Sequence, residues 1–78
     1  MPLSSAEVHD LQMLFAECED QERKLTAWEV GYFTDQQKRV EQYAERTRFS
    51  QKQLDVIERI AKKVSFQWTA KPDPTDIE

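Results

Sequence analysis

The sequence has few of the residues that fix a protein by covalent bonds or special backbone geometry. Its 78 residues include one cysteine, one glycine and three prolines. A single cysteine excludes an internal disulfide, and a single glycine leaves no phosphate-cradling loop of the G-x-G-x-x-G or G-x-x-x-x-G-K-S kind. The chain also lacks an apolar run near eighteen residues and a basic-then-apolar leader. We therefore expect a cytoplasmic protein, not a membrane-spanning or secreted one.

Candidate catalytic and metal-binding residues are equally scarce. His9 is the only histidine, and Cys18 follows nine positions later, a spacing that does not place two metal ligands on one helix face. Glu41 and Glu45 are four residues apart, but a solvated charged face lacks the surroundings that acid–base catalysis needs. We predict no enzyme activity, no metal and no cofactor, with Cys18 in the core and His9 at the surface.

A six-residue pattern occurs three times, at residues 3–8, 25–30 and 49–54. Each copy has a hydrophobic residue, Ser or Thr, two variable positions, Glu or Gln, and a second hydrophobic residue. This is a capping box with a hydrophobic staple, in which hydroxyl and carboxylate or amide satisfy backbone N–H groups at the start of a helix. Three boxes predict three helices.

The apolar spacing predicts helices over about 5–22, 27–45 and 51–64. Their short connections predict antiparallel neighbours, and hence an all-α three-helix bundle spanning residues 1–64. Gly31 costs about 1 kcal/mol relative to Ala inside a helix, which we interpret as the close approach of a neighbouring helix. The side chains expected to be buried by the second helix are Trp28, Tyr32, Phe33, Val40, Tyr43 and Ala44.

The chain after the third predicted helix changes its pattern. Residues 65–70 alternate apolar and polar with a period of two, which predicts an extended segment over 65–78, with a frayed acidic tail from residue 72. Phe66 and Trp68 either fold back to enlarge a small core or serve as exposed anchors for a partner. We favour folding back, because two large aromatics in water would form an unusual patch.

Charge is divided unevenly along the chain, whose net charge is −4. Residues 1–37 hold eight acids and two bases, a net charge of −6, whereas residues 38–71 hold nine bases and four acids, a net charge of +5. This division predicts one acidic and one basic end of the bundle. Such a layout suits a charged protein partner, head-to-tail contacts between copies, or phosphate.

Three functions fit these features. The first is binding of a protein partner through a basic cluster, Arg46, Arg48 and Lys52, with Phe66 and Trp68 as aromatic anchors. The second is a nucleic-acid-binding module whose basic cluster contacts phosphates at the start of helix three, although the pI of 5.0 argues against it. The third is a structural homo-oligomer whose chains complete each other's cores. No helix has the composition of a membrane-binding helix.

Two segments carry a resemblance to known proteins. They read L-T-x-W-E-x-x-x-F over residues 25–33 and R-x-S-x-K-Q-x-x-V-I-x-R-I-x-x-K-V over residues 48–64. This pattern resembles that of small helical proteins and protein segments of bacteriophages and prophages. The resemblance implies a phage-type accessory protein, encoded beside DNA-replication or host-takeover functions. We therefore expect an inhibitor or adaptor in the cytoplasm of a bacterial host, acting in DNA metabolism, host takeover or counter-defence. The resemblance implies no catalytic residues.

Overall fold

The computed structural model describes residues 3–74, which form three α-helices joined by 3₁₀ turns. The helices are α1 (Ser5–Asp20), α2 (Ala27–Tyr43) and α3 (Gln51–Lys63). No strand occurs within residues 3–74. The all-α three-helix bundle is therefore confirmed. Each helix ends one or two residues earlier than expected, because 3₁₀ turns follow α1 and α2 and a capping turn follows α3.

All three helices begin at the predicted capping boxes. Ser4, Thr26 and Ser50 are the N-caps, and each hydroxyl accepts the backbone N–H three residues later at 3.1 Å. In return, each N-cap N–H donates to the Glu or Gln side chain at 2.8 Å. The staple residues Leu3 and Phe49 are buried. Each cap contributes about 1 kcal/mol, so the helix starts are specified locally.

Hydrogen bonds at the two ends of the bundle fix the directions of the helices. The N–H of Leu3 donates to the carbonyl of Glu45 at 2.8 Å, which places the start of α1 beside the end of α2. The Gln21 side chain donates to the carbonyl of Val64 at 3.2 Å, so α1 and α3 finish at the same end. Helix α2 therefore runs antiparallel to both of the other helices, as the short connections predict.

The hydrophobic core is built around α1, which packs against both other helices, whereas the backbones of α2 and α3 approach each other least. Cys18 is fully buried in this core, as predicted. The other core residues are Leu3, Val8, Leu11, Leu14, Phe15, Phe33, Val40, Phe49, Leu54, Ile57, Ile60, Ala61 and Val64.

The burial predicted for α2 is wrong at three positions. Trp28 is 63% exposed and Tyr43 is 49% exposed, and Ala44 is exposed in the 3₁₀ turn beyond the helix. Phe33 and Val40 are buried as expected. Trp28 precedes Phe33 by five residues, a spacing that places the two on different faces of a helix, and here the face of Phe33 and Val40 is the one that packs on the core.

The interpretation of Gly31 as a close-packing glycine is also wrong. Gly31 is exposed, and a Cβ built at this position would have no atom within 4 Å. It lies in α2 three residues after Trp28. Nothing in the structure explains a glycine here, and it costs α2 about 1 kcal/mol relative to alanine.

The predicted division into an acidic and a basic end is wrong as well. Because α1 and α3 are parallel, the acidic stretch at residues 17–20 shares one end of the bundle with Lys62 and Lys63. At the other end, Glu45 lies next to the basic stretch at residues 46–52. Both ends therefore carry charges of both signs, because antiparallel packing does not map the two halves of the sequence onto the two ends.

Candidate protein-binding surface

The chain reverses direction after α3 through a Schellman motif. The N–H of Phe66 donates to the carbonyl of Ala61 at 2.9 Å, and that of Ser65 donates to the carbonyl of Lys62 at 3.2 Å. Ser65 takes the left-handed conformation, with φ 57°, that glycine usually supplies at this position. This turn directs Phe66 back onto the bundle.

A buried carboxylate ties the following segment, residues 65–74, to α1; we call this segment the strap. Asp10 is 5% exposed, and its Oδ2 accepts the backbone N–H groups of both Thr69 and Ala70 at 2.6 Å. A buried carboxylate needs such donors, because burial without partners is costly. This role of Asp10 is not evident from the sequence. Its available signal is an acid one turn before the buried Leu14.

A second attachment joins the strap to α3. The Lys71 Nζ lies 2.8 Å from a carboxylate oxygen of Glu58, and this hydrogen bond holds the pKa of the Glu58 carboxyl below its usual range. Pro72 is buried, so the expectation of a frayed tail from residue 72 is wrong at that position. The rest of that expectation, at residues 75–78, lies outside the described residues.

Phe66 and Trp68 fold back, as favoured from the sequence. Both side chains are half-buried and pack against the core. Their rings meet edge to face, with centroids 5.2 Å apart, an arrangement that aromatic pairs prefer. Only the exposed parts of these two rings are available to a partner in this conformation.

The basic cluster lies at the junction between α2 and α3. Arg46, Arg48 and Lys52 are all exposed. The carbonyl of Arg48 accepts a 2.6 Å hydrogen bond from Arg39, whose guanidinium lies 5.4 Å from the ring centre of Phe49. Arg39 thus anchors the loop that carries the cluster.

The five predicted contact residues lie on two segments of the chain, the junction between α2 and α3 and the strap. Lys52 lies in the first turn of α3, whereas Phe66 follows its last turn. A rise of 1.5 Å per residue places these two ends roughly 18 Å apart along the helix axis. Phe66 therefore follows the opposite end of α3 from Lys52, and the strap then returns alongside α3, where Lys71 reaches Glu58.

An aromatic pair on α2 that was expected in the core is only partly buried: Trp28 is exposed, whereas Tyr32 is half-buried and packs against the core. The rings of Trp28 and Tyr32 stack with centroids 5.2 Å apart and planes 20° from parallel. The hydroxyl of Tyr32 donates to the carbonyl of Gln53 in α3 at 3.3 Å. Burial raises the pKa of the Tyr32 phenol, and the charge of Arg39 partly offsets this rise. Tyr32 is thus held between two helices and supports Trp28 from one side.

Reactive groups are few in the described part of the chain. Residues 3–74 contain no group of three or more His, Cys, Asp or Glu side chains that could hold a metal ion. His9 is exposed, as predicted. Burial, reinforced by the charges of Glu17, Glu19 and Glu29, raises the pKa of the Cys18 thiol to about 12. This thiol is protonated near neutral pH and is a poor nucleophile.

The chain has no match among protein-family models, curated proteins or solved structures. The resemblance to phage proteins therefore stays a prediction. Within residues 3–74, none of the helices has both the length and the apolar character needed to cross a membrane.

Proposed function

We propose that this chain acts by binding a protein partner without catalysis, as the phage-type accessory protein that the resemblance implies. The observation that supports binding is the exposed Trp28, which is stacked on the half-buried Tyr32. Trp28 is 63% exposed, although tryptophan gains strongly from burial and is one of the commonest energetic centres of protein interfaces.

The side chains of Trp28 and Tyr32 are already held in place before any partner binds, which is a second argument for the proposal. Tyr32 is fixed by its hydrogen bond to Gln53, and Trp28 is stacked on it. Binding would therefore cost these side chains little conformational entropy, which favours affinity. The basic cluster of Arg46, Arg48 and Lys52 supports association by electrostatic steering.

The exposed methionine of α1 provides a matched control for testing this proposal. Met13 is 52% exposed, so Trp28→Ala and Met13→Ala each remove an exposed apolar side chain. Each variant and the unaltered chain are used to capture partners from bacterial lysate, and circular dichroism verifies that they fold. We expect Trp28→Ala to lose the partner and Met13→Ala to keep it. Equal binding of the partner by all three proteins would contradict the proposal.

Nucleic-acid binding is the second candidate, favoured by the exposure of Arg46, Arg48 and Lys52, which have no ion-pair partners within residues 3–74. Binding through many phosphates weakens steeply with salt, whereas an interface centred on Trp28 should weaken less. A gel shift at low salt that shows no retardation of duplex or single strand would exclude this function.

The third hypothesis, a homo-oligomer, is excluded if sedimentation shows a monomer at high micromolar concentration.

A further inference from the structure

Two stripes of side chains border the line along which α2 and α3 meet. The α2 stripe and the α3 stripe have the same spacing, i, i+4, i+7 and i+11, which keeps each on one helix face. We call these eight residues the α2–α3 seam. They are Trp28, Tyr32, Asp35 and Arg39 on α2, and Lys52, Val56, Arg59 and Lys63 on α3.

Contacts near both ends of the α3 stripe show that α2 lies beside it. Near the start of α2, Glu29 and Lys63 form an ion pair at 2.7 Å. Towards the start of α3, the Tyr32 hydroxyl reaches the carbonyl of Gln53. Because the helices are antiparallel, the Trp28 end of one stripe lies beside the Lys63 end of the other.

The seam is open to solvent along its length. None of its eight residues is buried, and the backbones of α2 and α3 approach each other least of the three helix pairs. The strap does not cover it, since its attachments to Asp10 and Glu58 place it on the side of α3 that faces α1. Trp28 gives the seam exposed apolar surface, and Tyr32 and Val56 are half-buried beside it.

The charge of the seam is positive, although the chain as a whole carries −4. It holds four cations and one carboxylate, Asp35. Lys63 is paired with Glu29, and in the described part of the chain Arg39 donates only to neutral acceptors. Lys52 and Arg59 are exposed and have no ion-pair partner within residues 3–74. Exposed apolar surface is therefore bordered by cations available to carboxylates.

We propose that the α2–α3 seam binds an acidic segment of the partner protein, with an apolar side chain of that segment against Trp28 and its carboxylates against Lys52 and Arg59. This inference rests on the proposed function and adds the chemistry of the partner. Charge complementarity of this kind gives an interface its orientation and speeds association.

A peptide fits this seam better than a nucleic acid does. Asp35 lies within the α2 stripe, between Tyr32 and Arg39, where it repels any anion that passes along the seam. A phosphate backbone carries charge at every nucleotide, whereas a peptide can place its carboxylates at Lys52 and Arg59 and a neutral residue opposite Asp35. The chain's overall negative charge adds a further penalty for a polyanion.

Fluorescence of Trp28 provides a direct test. The Trp68→Phe variant leaves Trp28 as the only tryptophan, and it is titrated with a panel of short peptides that each carry one Leu or Phe among Asp and Glu residues. The same peptides with Lys in place of the acids, and single-stranded oligothymidylate, are titrated in parallel. We expect acidic peptides to give a saturable blue shift and basic peptides to give none.

Charge variants test the roles of the two cations. In the same background, Lys52→Gln with Arg59→Gln should weaken peptide binding by at least about tenfold and flatten its salt dependence. The control pair, Arg23→Gln with Lys62→Gln, changes the net charge equally at exposed positions outside the seam and should preserve the affinity.

Three results would overturn the inference: no response to any acidic peptide, equal weakening by both charge pairs, or tighter binding of oligothymidylate than of every peptide. The proposed function is judged separately by the captured partner. If Trp28→Ala still loses that partner, the function stands and only the acidic chemistry fails. If Trp28→Ala keeps it, the proposed function itself fails.

Discussion

Residues 3–74 contain two aromatic pairs whose ring centres are equally far apart, at 5.2 Å, but whose surroundings differ. Phe66 and Trp68 meet edge to face on the strap and are packed against the core. Trp28 and Tyr32 stack on α2, with Trp28 63% exposed. The first pair helps a small core to form, and the second leaves a large apolar surface in water. The same residue type thus contributes to stability in one place and is left for binding in the other.

The attachments of the two pairs explain this difference. The strap pair is returned to the bundle by the turn at Ser65 and by the carboxylate of Asp10, which holds the backbone after Trp68. Trp28 and Tyr32, which we call the helical pair, belong to α2, whose buried face includes Phe33 and Val40. Trp28 lies outside that face, and no other described segment covers it.

Removing one tryptophan from each pair gives the largest contrast. Replacing a fully buried tryptophan by alanine lowers the free energy of unfolding by about 3–5 kcal/mol. We therefore expect a loss of about 2 kcal/mol for the half-buried Trp68. Trp28→Ala should change the free energy of unfolding by less than about 0.5 kcal/mol. Urea denaturation followed by circular dichroism measures both. Similar losses in the two variants would show that the pairs do not differ in this way.

Releasing the strap should have the next largest effect. Asp10→Ala removes the acceptor of two backbone N–H groups and should destabilise the fold by about 1–2 kcal/mol. In a Trp28→Phe background, the emission of Trp68 should shift to the red as the strap loosens. Asp35→Ala, at an exposed carboxylate, is the control and should leave both stability and emission unchanged. Unaltered emission of Trp68 in the Asp10 variant would mean that the strap is held by other contacts.

Filling the empty space at Gly31 should stabilise the protein. No atom lies within 4 Å of a Cβ at this position, so Gly31→Ala gains about 1 kcal/mol of helix propensity without a clash. Thermal unfolding should show a higher Tm, with the exposure of Trp28 unchanged. A lower Tm would show that the surface beside the helical pair is more crowded than the structure indicates.

The ion pair between Glu29 and Lys63, next to Trp28 and Tyr32, should make the free energy of unfolding depend on pH in the acidic range. The hydrogen bond from Lys63, followed by that from the backbone N–H of Thr26, holds the pKa of Glu29 below its ordinary value of 4.5. Because the folded-state pKa is lowered, this stabilisation is complete above pH 4.5 and is lost as the pH falls through the folded-state value.

Glu29→Gln tests that dependence. It should lower stability near neutral pH by no more than about 1 kcal/mol, since Lys63 is 40% exposed. The difference from the unaltered protein should shrink as the pH falls below 4.5. Urea denaturation at several pH values measures it, with the exposed Glu22→Gln as the control. A difference independent of pH would show that the ion pair does not contribute.

Residues that act within one turn of helix could be predicted from the sequence. Ser4, Thr26 and Ser50 cap the helices at the expected positions, because each cap depends on side chains three residues apart. Cys18 could be placed in the core because it continues the apolar spacing of α1. Residues whose surroundings come from distant parts of the chain were harder to predict. Asp10 depends on backbone groups 59 and 60 residues away.

The candidate site shows the same division. Arg46, Arg48 and Lys52 are exposed at the junction between α2 and α3, as their charge implies, but where the strap places Phe66 and Trp68 follows only from the tertiary structure. The exposed side of α2 was missed, because an aromatic residue near other apolar residues resembles a core position. Its signal was the five-residue spacing between Trp28 and Phe33.

The sequence by itself determined where each helix begins, that the fold is all-α and that short connections set neighbouring helices antiparallel. These properties depend on hydrogen bonds and spacing within a few residues. Only the tertiary structure decided which aromatic pair joins the core and which remains exposed, and how the charges of the two halves combine. Burial depends on which surfaces meet after the helices pack. In this protein, α1 occupies the centre of the bundle and leaves the seam between α2 and α3 open.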